Sequence, residues 1–132
     1  MKITPDTNVL VRALIEDDPR QGKIAQAELS RAEIVAIALP TLCELVWVLT
    51  RGYKIPMAET AGAIRQLMNS ANVVTNRPGA EAGLAMLESG GDFADGAIAY
   101  EGNWLGADTF VSFDEKAAKL VEQQGMASRL LG

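Results

Sequence analysis

The chain of 132 residues contains no histidine. Serine–histidine–acid triads, histidine general bases and the usual zinc sites are therefore excluded. One cysteine, Cys43, is present. It has no partner for an internal disulfide and no histidine to activate it, which favours packing over nucleophilic catalysis. Long apolar runs are missing too. The longest candidate, Leu42 to Leu49, is interrupted by Glu44 and falls well short of the roughly 20 residues of a membrane span. Lys2 leads into a short strand-like segment and then Asp6, which is not the layout of a signal peptide, so a cytoplasmic location is expected. No repeat, low-complexity tract or linker interrupts the chain, and residues 1–132 are read as a single domain.

What is present is acid. Asp and Glu total 17 against 12 Lys and Arg, a formal net charge of −5. That balance argues against nucleic-acid binding through the overall field. It leaves room for a site where acids bind cations and a few bases grip phosphates locally.

The pattern predicts alternating strands and helices. Residues 2–5 read as a short strand, after which Asp6-Thr7-Asn8 opens a helix. Asp17-Asp18-Pro19 opens a second helix. Ile34 to Ala38 is a continuous apolar run, as expected of a buried parallel strand. Helices follow from Pro40 to Gly52 and from Ile55-Pro56, then a strand at 72–75 and a helix from Pro78 to Gly90-Gly91. A helix over 92–105, a strand at 109–111 and a helix after Asp114 complete the order. Such alternation predicts an α/β sandwich around a mostly parallel sheet. Ligands of such sheets sit beyond the carboxyl ends of the strands. Asp6 and Asp114 each follow a predicted strand at that edge, and Asp95 can reach it from the start of a helix.

Each acid has two readings. Asp6, Asp95 and Asp114 serve as helix N-caps or as metal ligands. Three carboxylates gathered at one edge repel one another unless a cation joins them. Glu44 is surrounded in sequence by Leu42, Cys43, Leu45, Val46, Val48 and Leu49. Burial of its charge demands either a metal or an arginine such as Arg12 or Arg51. Asp92 is a fifth acid of the site or the cap of the helix that carries Asp95. Thr7 and Asn8 orient Asp6 or simply shape the first helical turn. Arg12, Arg51 and Lys116 are phosphate contacts or solvated surface residues, and Trp47 and Trp104 are read as core or interface. Hard oxygen ligands favour magnesium or manganese, which makes metal-assisted hydrolysis the leading chemistry.

Four segments in this order resemble PIN-domain ribonucleases, most closely the VapC-type toxins of toxin–antitoxin pairs. They are Ile3-Thr-Pro-Asp-Thr-Asn-Val-Leu-Val-Arg12, Leu42-Cys-Glu-Leu-Val-Trp-Val-Leu49, Asp92-Phe-Ala-Asp-Gly-Ala-Ile-Ala99 and Val111-Ser-Phe-Asp-Glu-Lys-Ala-Ala-Lys-Leu120. The resemblance implies a three-layer α/β/α PIN fold with a mostly parallel central sheet. It implies that Asp6, Glu44, Asp95 and Asp114 form an acidic quartet for Mg2+ or Mn2+, and that the chain cleaves RNA. It also implies homodimers and a small VapB-type antitoxin, through which alone the protein would meet operator DNA. Gly96 stands where the family more often has alanine, implying a looser start to the Asp95 helix. Two other readings compete: a PIN-type RNA-processing nuclease without an antitoxin, and a non-catalytic cation-binding α/β module. A receiver-like domain fits less well, lacking paired early acids and a lysine after a late strand. An aspartate-nucleophile phosphatase is disfavoured because Asn8 stands where its second acid would be.

Overall fold

The computed structural model describes all residues, Met1–Gly132. It comprises two compact units, Met1–Asn76 and Arg77–Gly132. Every strand pairing in both is parallel, so the α/β class with parallel sheets holds. No helix is long and apolar enough to cross a membrane.

In the first unit, β1 (Lys2–Ile3), β2 (Ile34–Ile37) and β3 (Val73–Thr75) form a sheet in the order β1-β2-β3. Parallel neighbours require crossovers. Helices α1 (Thr7–Leu14) and α2 (Pro19–Arg31) make the first, and α3 (Leu39–Trp47) and α4 (Met57–Met68) the second. Registers run Ile3↔Val35 and Val35↔Val73. The core gathers Leu10 of α1, Val35 and Ile37 of β2, Leu42 and Leu45 of α3, and Ile64 of α4, all buried. The continuous apolar run in β2 is covered on one face only: Val35 and Ile37 are buried, whereas Ala36 and its partner Val74 are exposed. Alanine at 36 tolerates that exposure because it has little apolar surface to hide.

Two details hold this unit's elements in place. The Asn72 amide donates to the Leu29 and Ala32 carbonyls at 2.8 and 3.0 Å, satisfying acceptors that the end of α2 leaves open. Beyond α3 the helix loosens to a π-helical turn, Val48–Gly52, in which the Tyr53 N–H reaches the Val48 carbonyl at 3.0 Å. The sequence predicts one uninterrupted helix there.

In the second unit, α5 (Arg77–Glu88) and α6 (Phe93–Trp104) pack against each other, and β4 (Thr109–Ser112) pairs with β5 (Ala127–Leu130) across α7 (Glu115–Gln123). Strand β5 is a finding of the structure, since Ala-Ser-Arg-Leu carries no strand signature. Its Ser128 hydroxyl donates to the Ala118 carbonyl of α7 at 2.7 Å. Helix α5 ends in a Schellman turn: Gly91 N–H bonds the Met86 carbonyl and Gly90 N–H that of Leu87, at 2.8 and 3.0 Å. Gly90 has φ +89°, a conformation that a side chain would oppose.

The α5–α6 contact depends on missing side chains. A Cβ at Gly83 would lie 2.7 Å from the Phe93 ring, and one at Gly96 would lie 2.3 Å from the Ala82 carbonyl oxygen. Glycine at 96 therefore permits close helix packing, rather than loosening the start of α6.

Candidate active site

Asp6 and Asp114 stand where a strand gives way to a helix, Asp92 and Asp95 where α5 gives way to α6, and three of these acids are held by the helix they start. Asp6 caps α1, accepting from the Val9 N–H at 3.0 Å. Asp114, two residues beyond β4, caps α7 by accepting from the Ala117 N–H at 3.1 Å, and its own N–H donates to the Ser112 hydroxyl at 2.9 Å. Asp92 caps α6 through the Ala94 N–H at 3.1 Å. In each case the capping bond engages Oδ1. Capping fixes the carboxylate without consuming both of its oxygens, so the cap and ligand readings are compatible for Asp6 and Asp114.

Asp95 is different. It lies in the first turn of α6 but is not the cap, a role taken by Asp92. The side chain is half-buried. Burial pushes its carboxyl above the usual aspartate range, and the charges of Asp92 and Asp114 push it further. The second unit thus brings three of the predicted acids into electrostatic contact, with Asp95 the most desolvated. A group held this way is unfavourable as a bare anion and favourable beside a cation.

Glu44 departs from expectation. It is exposed and makes no ion pair with Arg12 or Arg51. The physical reason is helical phase. Leu42, Leu45, Val46 and Leu49 are buried on one side of α3 and its extension, while Glu44, Trp47 and Arg51 share an exposed stripe at i, i+3 and i+7. Apolar neighbours in sequence did not bury the carboxylate, and no desolvation argument remains for it. Trp47 and Trp104 are likewise not core residues, being 61% and 75% exposed. Cys43 is half-buried.

Arg12 belongs to a network that sequence reasoning missed. Its Nε donates to Gln21 Oε1 at 2.8 Å and its Nη1 to Asp17 Oδ1 at 3.0 Å, while the Tyr53 hydroxyl donates to Asp17 Oδ2 at 2.7 Å. The bond from Tyr53, followed by the Arg12 charge, holds the Asp17 carboxyl below its ordinary range, and the same bond raises Tyr53. No local motif signals this, because Asp17 and Tyr53 meet only through packing. Thr7 is half-buried and Asn8 exposed. Asn8 lines a cleft of about 340 Å³ between α1 and α2 that also touches Asp6, Arg12 and Arg20.

The acids can be tested against a divalent ion. Nowhere do three Asp, Glu or Cys side chains converge closely enough to form a ready-made metal cage. Magnesium does not require one, since it keeps several waters and is commonly held by one or two carboxylates. Every donor is a hard oxygen, and the influences on Asp95 all disfavour its uncompensated charge. These residues have the donor chemistry of a magnesium-like cation site, with Asp95 the acid whose charge most calls for one.

The PIN-domain family model matches residues 3–123. The chain belongs to the PIN domain family. The match runs through both compact units and takes in Asp6, Glu44, Asp92, Asp95 and Asp114. A PIN domain is a nuclease fold, and members of the family are generally hydrolases that use divalent metal ions. A comparison with functionally curated proteins finds no match.

Proposed function

We propose that this PIN domain is a Mg2+- or Mn2+-dependent endoribonuclease and the toxin of a VapBC-type toxin–antitoxin pair. The observation that carries the catalytic part is the half-buried Asp95, whose carboxyl is raised by burial and by Asp92 and Asp114. In this reading Asp95 and Asp114 hold the cation, and Asp6 and Glu44 are further acids on which cleavage depends. When bound, the ion supplies Lewis-acid activation of water and neutralises charge on a scissile phosphate. The chain's own contribution is positioning. The Ala117 N–H fixes Asp114 from one side and the first turn of α6 fixes Asp95 from another. Thr7 and Asn8 steady the turn behind Asp6, and Asp92 caps α6 and adds negative potential.

The toxin part rests on the four segments that resemble VapC-type proteins in order. It makes the protein a cytoplasmic homodimer, held inactive by a small antitoxin until released. Purified protein incubated with mixed RNA should cut it in manganese or magnesium, and chelation or Asp95→Asn should abolish cutting. A folded wild type that leaves a broad RNA pool intact with either metal would sink the nuclease reading. Expression should also arrest growth, and co-expression of a short neighbouring DNA-binding protein should restore it. Cleavage without growth arrest would instead mark a PIN nuclease of RNA processing.

A further inference from the structure

The cleft between α1 and α2 carries a second element of the same chemistry. It lies wholly in the first unit and has a volume of about 340 Å³. Asp6 lines it, as do Arg12 and Arg20, with Val9 and the exposed Ile24 supplying apolar surface. Along α1 the distance from Asp6 to Arg12 is roughly 9 Å, at 1.5 Å per residue.

The two arginines differ in a useful way. Arg12 is anchored: its Nε donates to Gln21 and its Nη1 to Asp17, while its side chain stays 27% exposed. A guanidinium held in place gives up less rotamer freedom when it binds a phosphate. Arg20 is exposed in the first turn of α2 and has no carboxylate partner. An anchored guanidinium beside an exposed, unpaired one suits a phosphodiester, and the apolar surface suits a ribose or base face.

We infer that this cleft is a track for the RNA strand flanking the scissile bond, with Arg12 and Arg20 taking a backbone phosphate. The inference rests on the nuclease reading, in which Asp6 serves the reaction. An acidic peptide is the rival occupant; RNA is favoured because the cleft is lined by Asp6, an acid of the proposed cleavage, and by Val9 and Ile24, which offer apolar surface to a ribose or base.

The test measures binding of a fluorescein-labelled single-stranded RNA of mixed sequence, in EDTA so that it is held and not cut. Arg20→Ala should weaken binding about threefold to fivefold. The same variant should flatten the log–log salt dependence by about 0.7, the value of one phosphate contact to a single strand. Arg20→Lys should recover most of the affinity. Arg12→Lys, which keeps the charge but loses the fork, should weaken binding as well. Arg31→Ala, on the same helix outside the cleft, controls for general charge and should change little. If wild type cuts RNA but Arg20→Ala and Arg12→Lys leave affinity and salt slope unmoved, the track is overturned alone. If those variants instead lose binding to a polyglutamate peptide, the cleft belongs to an acidic protein partner. Wild type that binds RNA through Arg20 yet never cuts it with magnesium or manganese overturns the nuclease reading alone, and wild type that neither binds nor cuts RNA overturns both.

Discussion

Substituting alanine for Gly96 sets helix propensity against packing, and the structure says which prevails. Within a helix, alanine is favoured over glycine by about 1 kcal/mol. Here the new Cβ would lie 2.3 Å from the Ala82 carbonyl oxygen, 2.8 Å from its carbon and 2.7 Å from the Met86 side chain. Backbone atoms cannot rotate away as a side chain can, so α5 and α6 must separate by about 1 Å to reach ordinary contact. Overpacking of this kind costs about 1–3 kcal/mol, with a backbone partner placing it near the top of that range. The net expectation is a loss of about 1–2 kcal/mol, or roughly 4–8 °C in Tm for a chain of this size. Gly102 supplies the control. It lies on the same helix with nothing within 4 Å of its would-be Cβ, so Gly102→Ala should gain about 0.5–1 kcal/mol. Urea unfolding followed by circular dichroism, with both variants beside the wild type, reads the sign directly. Two variants that both gain stability would refute the close α5–α6 approach. Asp95 directly precedes Gly96, so the folded Gly96→Ala protein should also cut RNA more slowly, since an ångström of misplacement can cost about a hundredfold.

Asp95 gives a stability prediction whose sign is opposite to the usual one for a carboxylate. Its folded pKa is raised, chiefly by burial and then by Asp92 and Asp114. Its contribution is therefore fully present below the unfolded value and is lost as pH rises through the folded one. In EDTA, Asp95→Asn should match the wild type in acid and become the more stable protein towards neutral pH; equal urea midpoints at neutral pH would contradict the desolvated carboxylate. Magnesium at about one hundred times its Kd should stabilise the wild type by about 2.7 kcal/mol and leave Asp95→Asn nearly unmoved, as read by thermal melts. Asn72→Ala removes two bonds to the end of α2 and should cost about 1–3 kcal/mol in denaturant unfolding. Tyr53→Phe removes the leading cause of Asp17's lowered pKa, so an NMR titration should find Asp17 closer to its ordinary value, with an unchanged titration telling against the Tyr53–Asp17 bond.

Hydrogen bonds that close within a few residues were legible in the chain itself. The caps of α1, α6 and α7 by Asp6, Asp92 and Asp114 need only an acid before a helical pattern. The same is true of Asp18-Pro19 at the start of α2, and the ordered acidic segments were enough to indicate the PIN family. Composition misled where helical phase mattered: Glu44 lies among apolar neighbours in sequence and on the exposed face of α3 in space. Strand β5 was invisible because Ala127–Leu130 is a strand only by pairing with β4. Packing alone coupled Asp95 to Asp114, joined Arg12 through Asp17 to Tyr53 and made Gly96 necessary at the Ala82 backbone. Sequence determines which groups can bond and which local turns they favour, while burial, mutual charge and the room for a single carbon depend on distances that exist only once the elements pack.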